Sequence, residues 1–154
     1  MNFLETSQLP DRLIQKDRPT DLNFLGEEIL YHRFSKLLDD SDGYVYPSTI
    51  RFPNFSVNRS KYSESYDVLI PEYFDWGIYS FHVQDILPPI TQSGGKNIGT
   101  IYKFYAQHVP EKNNYAHSEV RVSRDGIYNE EMKISNKIVK KTFRFKLSGH
   151  SKII

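Results

Sequence analysis

Residues 101–126 read IYKFYAQHVPEKNNYAHSEVRVSRDG, and they carry the clearest structural pattern of the chain. In its first part Tyr102, Phe104 and Ala106 occupy alternate positions, and in its last part Val120 and Val122 do the same. A two-residue period of apolar side chains is the pattern of a β-strand with one buried face. The stretch therefore predicts two strands that are joined by a loop over 109–116 and followed by a turn at 124–126.

The two-residue period recurs in other parts of the chain. It is found at 79–83 and at 142–147, and shorter strands fit about 44–46 and 50–57. Prolines break the region that contains the shorter strands, so it cannot form one long element. A short helical turn fits 71–75. Together these segments predict a mostly antiparallel sheet.

Two segments show the spacing of an amphipathic helix instead. Leu30, Phe34, Leu37 and Leu38 stand at i, i+4, i+7 and i+8, which places them on one face of a helix. A second helix is predicted after Asn129, which resembles an N-cap residue. Since helices precede and interrupt the run of strands, we expect an α+β domain, a mostly antiparallel sheet with one or two packed helices.

The chain of 154 residues has the length of a single domain. Residues 1–25 are polar and are broken by Pro10 and Pro19, so we expect an N-terminal arm there. The α+β domain is expected over 26–149. A C-terminal tail follows at 150–154.

The composition excludes several classes of protein. The chain has no cysteine, which rules out a disulfide framework, a thiolate nucleophile and a zinc–thiolate site. No run approaches the ~20 apolar residues of a membrane helix, and the first residues lack the basic and apolar regions of a signal peptide. Gly94-Gly95-Lys96 lacks the first glycine and the hydroxyl residue of a phosphate-binding loop. We therefore expect a cytoplasmic protein without a cofactor, a bound metal or a membrane contact.

The charge is distributed unevenly along the chain. The net charge is +1, yet the 23 residues after Glu131 contain seven Lys and Arg residues and no acid, which leaves −6 on the rest. Helical spacing would gather four lysines on one side, and an arginine follows in the next strand: Lys133, Lys137, Lys140, Lys141 and Arg144. Such a cluster suits a nucleic acid or an acidic protein partner. A solvated helix face is the alternative interpretation.

Two histidines flank the loop over 109–116. His108 ends one predicted strand and His117 begins the next, with Glu119 two residues further on. If these strands pair, both imidazoles reach the same edge of the sheet. The three side chains could supply an acid and a base near neutral pH, they could hold a divalent metal, or they could be structural.

Three further polar residues, Arg33, Asn58 and Arg59, are candidate substrate-binding groups. The order of an early arginine, a polar group in mid-chain and the later Glu119 is similar to that in ADP-ribosyltransferase-like folds, which place the arginine on a strand. The helical spacing around Arg33 predicts a different context for this residue.

Several short pieces resemble a pattern in small uncharacterised bacterial proteins. The pieces are Tyr31-His32-Arg33, the Pro-Ser-x-x-x-Phe segment at 47–52, the Ser-Val-Asn-Arg segment at 56–59 and the Asn-x-x-His segment at 114–117. The resemblance implies that segments 56–59 and 114–117 share one site, and it brings no activity with it.

Two functions follow from these observations. The first is a binding or accessory subunit that contacts a polyanion or an acidic protein through the basic C-terminal segment. The alternative is a small hydrolase or transferase that acts on a phosphoester or nucleotide with a His/His/Glu site.

Overall fold

The described residues form one six-stranded sheet that curls into a half-barrel. A computed structural model describes residues 9–34, 53–70, 73, 76–86, 88–96 and 98–132. All neighbouring strands are antiparallel, in the order β3-β1-β2-β6-β5-β4. The strands are β1 (Ile29–Phe34), β2 (Asn54–Arg59), β3 (Gly77–His82), β4 (Ile90–Thr91), β5 (Ile101–His108) and β6 (His117–Arg124).

The predicted α+β class is wrong for the described residues. They contain no helix of seven or more residues. Short 3-10 turns at Asp11–Leu13, Ser65–Leu69 and Val83–Asp85 are the helical elements found there. None of these turns is long enough to cross a membrane as a helix, and no other described segment is. The observed class is an antiparallel β-domain.

The segment predicted as the first helix is strand β1. Leu30 and Phe34 are buried, as a helix would also have them, but His32 between them is buried too. A spacing of four residues fits both a helical and a two-residue period, so the pair alone does not distinguish the two. Six residue pairs between β1 and β3, from Ile29↔His82 to Phe34↔Gly77, decide in favour of the strand.

The strands predicted at 79–83 and within 101–126 are confirmed as β3, β5 and β6. The strand predicted at 50–57 corresponds to β2, which runs somewhat later. The strands predicted at 44–46 and 142–147 lie outside the described residues, as does most of the turn at 71–75. Of the segment predicted as a helix after Asn129, the described residues reach Met132 and form a turn, in which the Glu131 amide donates to Asn129 Oδ1; the remainder lies outside the described residues.

One face of the sheet, the core face, carries the main hydrophobic cluster. Because directly opposed residues point to the same side, Leu30, Phe81, Val57 and Val120 share this face. The cluster consists of Leu30, Phe34, Phe55, Val57, Tyr79, Phe81 and Val120. Its burial supplies the main favourable free energy of folding.

The N-terminal segment over 9–28 packs against the sheet and its loops. Leu13 is buried, and its carbonyl accepts a hydrogen bond from the Tyr115 amide. Arg12 forms two 2.7 Å hydrogen bonds with the carboxylate of Asp67. These contacts join the segment to the β5–β6 loop and to the turn at Ser65–Leu69.

Part of the opposite face, the outer face, is covered near β1 and β3. Val68 and Leu69 form a second cluster with Ile78, and Tyr31, Tyr73 and Trp76 pack against it. On β2 and β6 the outer face carries polar side chains instead. That region is the candidate site.

Candidate functional site

Six polar side chains form two facing rows on the outer face of β2 and β6. The register pairs Asn54 with Arg121, Ser56 with Glu119, and Asn58 with His117. Side chains that are directly opposed across an antiparallel pair lie next to each other on one face. We call this set the polar array: Asn54, Ser56, Asn58, His117, Glu119 and Arg121. It lies at the centre of the sheet, because β2 and β6 are the third and fourth strands in order.

His117 is held in one orientation by the loop that precedes it. Its Nδ1 lies 2.8 Å from the Val109 carbonyl oxygen, and its Nε2 lies 3.4 Å from Ser56 Oγ. A carbonyl oxygen only accepts, so Nδ1 carries the proton and the Nε2 lone pair faces the Ser56 hydroxyl. Glu111 Oε1 is 3.8 Å from Nδ1. In its neutral form His117 therefore directs Nε2 at a hydroxyl.

Asn58 and Asn114 form an incompletely bonded amide pair. Asn114 Nδ2 donates to Asn58 Oδ1 at 2.7 Å, whereas Asn58 Nδ2 and Asn114 Oδ1 have no partner in the described part of the chain. Exchanging nitrogen and oxygen in both amides gives the same result, one unpaired nitrogen and one unpaired oxygen. Asn58 is 2 % exposed, so the unpaired atoms cost about 1–3 kcal/mol each. A ligand that offered both a donor and an acceptor would relieve that cost.

Glu119 and Arg121 neutralise each other at the other end of the array. Arg121 Nε donates to Glu119 Oε1 at 2.8 Å. The guanidinium carbon also lies 4.4 Å from the centre of the Tyr128 ring, and the Tyr128 hydroxyl donates to Asn54 Oδ1. This end of the array is therefore closed by protein contacts, and the Ser56–Asn58 end is more open, since Ser56 is exposed.

The structure does not bring His108 to His117. The register pairs His108 with Ser118, so His108 points to the core face while His117 points to the outer face. His108 Nδ1 accepts from the Asp21 amide at 2.8 Å, and its Nε2 donates to the Tyr115 carbonyl at 2.7 Å. Burial lowers the pKa of His108. It is a neutral structural histidine, and the predicted convergence of the two imidazoles is not found.

No group of three potential metal-ligating side chains occurs among the described residues. His117 and Glu119 share the outer face, as predicted, but Glu119 is bound to Arg121.

Arg59 is a structural residue of the core face. It is fully buried and donates to both carboxylate oxygens of Glu28 at 2.8 Å. It also donates to the backbone carbonyls of Asp21 and Asn23 at 2.6 and 2.7 Å. These contacts hold the N-terminal segment on the sheet and leave Arg59 no contact with the polar array.

Arg33 lies on a strand, as the corresponding arginine does in ADP-ribosyltransferase-like folds. Its guanidinium donates to the Val68 carbonyl at 3.2 Å and lies 4.0 Å from the centre of the Tyr73 ring. It thus belongs to the covered part of the outer face. Of the three predicted substrate-binding residues, Asn58 alone is in the array. The basic residues Lys133, Lys137, Lys140, Lys141 and Arg144 lie outside the described residues.

Asn54 and Arg121 were not predicted as site residues, and Ser56 and Asn114 were indicated only through the resemblance at segments 56–59 and 114–117. Ser56 and Asn58 alternate with Phe55 and Val57, so a strand with a polar face could have been inferred at 54–58. Its pairing with β6 leaves no local signal, because Ser56 and His117 are separated by 61 positions.

The segments 56–59 and 114–117 lie side by side, and the Asn114–Asn58 hydrogen bond joins them. This juxtaposition is a property of the tertiary structure, since the segments belong to β2 and to the end of the β5–β6 loop with the start of β6. No family model, no curated protein and no solved structure matches this chain.

Proposed function

We propose that the protein is a binding or accessory subunit that receives a polar ligand on the polar array. The observation that carries the proposal is the amide pair of Asn58 and Asn114. A buried amide nitrogen and a buried amide oxygen without partners in the described chain are costly for a domain with only a structural role. Both atoms are buried, so a ligand that makes these hydrogen bonds and recovers that free energy must move one of the two amides.

The basic C-terminal segment supplies a second contact in this proposal. Its charge of +7 over 23 residues contrasts with −6 on the rest of the chain. Such a segment attracts phosphates or acidic side chains over several ångströms, in a way that salt weakens. We propose a polyanion, and specifically a nucleic acid, as the partner, with an acidic protein as the second choice. The proposal includes a cytoplasmic location.

Fluorescence anisotropy with a labelled single strand, a labelled duplex and a labelled acidic peptide tests this proposal. A quadruple variant changes Lys133, Lys137, Lys140 and Lys141 to glutamine. It should bind nucleic acid more weakly, and each lost phosphate contact should remove roughly 0.7–0.9 from the slope of log affinity against log salt.

A matched control changes two exposed lysines elsewhere, Lys96→Gln and Lys112→Gln. This control should retain wild-type affinity within about twofold if the C-terminal lysines make the contact. Binding of the acidic peptide alone would replace nucleic acid with a protein partner. Absence of binding to all three probes at low salt would refute the proposed function.

The alternative function, a small hydrolase or transferase, is favoured by one contact. Ser56 Oγ lies 3.4 Å from the Nε2 of His117, which is the arrangement of a nucleophile and its base. A hydrolase site that contains both histidines is excluded, because His108 faces the core. The alternative function therefore depends on Ser56 as the partner of His117.

A further inference from the structure

We propose that Ser56 and His117 form a nucleophile–base pair that cleaves a carboxylic ester. This inference deepens the alternative function above and is independent of the nucleic-acid contact. Ser56 is exposed on β2, so its hydroxyl is accessible to a substrate. The separation of 3.4 Å from His117 Nε2 is slightly longer than the ~2.6–3.2 Å of a working pair, and such contacts commonly shorten when substrate binds.

The orientation of His117 is the first argument. Its Nδ1 is bound to the Val109 carbonyl at 2.8 Å. This bond places the proton on Nδ1 and leaves the Nε2 lone pair directed at the Ser56 hydroxyl. In serine hydrolases a third group performs the same task, holding the tautomer and the ring plane of the histidine. Glu111 Oε1, at 3.8 Å from Nδ1, is positioned to stabilise the imidazolium that forms during the reaction.

The amide pair is the second argument. Asn58 lies two residues from Ser56 on the same face of β2, and it is directly opposite His117. Two residues along a strand span ~6.8 Å, so an ester carbonyl bonded to Ser56 can direct its oxygen towards the amide pair. The unpaired amide nitrogen of the pair is buried, so it becomes a donor for the oxyanion only when the Asn58–Asn114 pair shifts on substrate binding. Neutral amide donors fulfil this role in known acyl-transfer sites.

The charges of the array select the class of substrate. Arg121 is paired with Glu119, and Glu111 lies beside His117, so within the described array each positive or titratable base faces a carboxylate. A carbonyl addition develops charge on a single oxygen, which one neutral amide donor can bind. The array, in which the described charges are paired, therefore suits a carboxylic ester.

The reaction proceeds in two steps, acylation of Ser56 and hydrolysis of the acyl–Ser56 ester. In the first, Ser56 Oγ bonds to the ester carbonyl carbon while His117 Nε2 takes the hydroxyl proton. The bond from carbon to the leaving oxygen then breaks, and His117 returns the proton to that oxygen to release the alcohol. In the second step, water attacks the acyl–Ser56 ester and gives its proton to His117. The acid is released, and Ser56 Oγ is protonated again.

The probe for this proposal is p-nitrophenyl acetate, with p-nitrophenyl phosphate as the second substrate. The full chain should release nitrophenolate from the acetate in a burst of one equivalent per chain, and mass spectrometry should locate one acetyl group on Ser56. Ser56→Ala should abolish both signals. His117→Gln should slow acetylation on the order of 100-fold or more, because a general base contributes at least this factor.

The matched controls are Ser93→Ala, which removes an exposed loop serine, and His82→Gln, which removes an exposed histidine. Both should react as the wild type does. Circular dichroism and thermal melts establish that each variant is folded. A burst that persists in Ser56→Ala, an acetyl group on another residue, or no burst in the wild type would overturn the proposal. Faster turnover of the phosphate than of the acetate would overturn the substrate class. The burst is measured without nucleic acid and the anisotropy without an ester, so each proposal fails on its own measurement.

Discussion

Arg59 and Glu28 form a two-pronged ion pair, with Nε to Oε2 and Nη2 to Oε1 both at 2.8 Å. Their side chains are 0 % and 7 % exposed. The pair joins the end of β2 to the residue before β1, and the remaining donors of Arg59 bind backbone carbonyls of the N-terminal segment. A residue that the sequence presents as a substrate-binding candidate is therefore an anchor of the fold.

Removing one partner of this pair should destabilise the domain strongly. Glu28→Gln removes the two-pronged carboxylate from the buried guanidinium and leaves Asp21 Oδ2, 3.6 Å from Arg59 Nη1, as its remaining counter-charge. We expect a loss of about 3 kcal/mol in the free energy of unfolding. Urea denaturation at neutral pH measures it. Lys61→Gln is the control, because Lys61 is 51 % exposed and its pair with Asp21 should contribute less than ~1 kcal/mol. Equal effects of the two changes would contradict the structural role of Arg59.

The buried histidines should make stability depend on pH between about 6.5 and 4. Burial lowers the pKa of His32 to about 4 and also lowers that of His108. The unfolded chain then binds more protons than the folded chain below ~6.5, so stability is full above that pH and falls as pH decreases towards 4.

His32→Leu tests this dependence. The change removes one of the two groups, so the loss of stability between pH 7 and 4.5 should become smaller by up to about 3 kcal/mol. Chemical denaturation at a series of pH values gives the slope. Ser93→Ala, which removes an exposed loop hydroxyl and no titratable group, is the control and should retain the wild-type slope. An unchanged slope in His32→Leu would show that His32 does not titrate in this range.

The amide pair predicts a non-additive double-mutant cycle. Asn114→Leu alone leaves the buried Asn58 amide without its donor and should cost about 1–3 kcal/mol. The double variant Asn58→Leu with Asn114→Leu removes every unpaired polar atom of the pair, so it should be more stable than the single variant. Thermal or urea denaturation measures the free energy of unfolding of the wild type, the two single variants and the double variant. Additive effects would mean that the two amides do not interact.

The core face predicts a clear contrast among leucines. Leu30 is fully buried in the main cluster, and Leu30→Ala should cost about 2–5 kcal/mol. Leu25 is 64 % exposed, and Leu25→Ala should change stability by less than ~0.5 kcal/mol. Equilibrium unfolding of the two variants provides the comparison. A large effect at Leu25 would indicate that it packs against a surface in the native protein.

Local alternation was sufficient to predict three of the strands. β3, β5 and β6 have apolar residues at every second position over several repeats. This alternation involves only residues that are close together in the chain. β1 was mistaken for a helix because Leu30 and Phe34 fit either period. Its pairing with β3, more than 40 positions away, made the difference. A pairing between distant strands has no signature in either segment alone.

The residues of the site also show which features can be read from the sequence and which depend on strand pairing. The order of residues along the chain shows which are polar, and it shows that Asn58, His117 and Glu119 each have an apolar neighbour in a strand. The pairing of β2 with β6 comes from the three-dimensional fold, and it places Ser56 against His117 and Asn58 against Asn114. The register also separated the two histidines, because His108 is opposite Ser118 and not His117. Side chains alternate with a period of two, so an offset of one residue in pairing moves a side chain to the other face of the sheet.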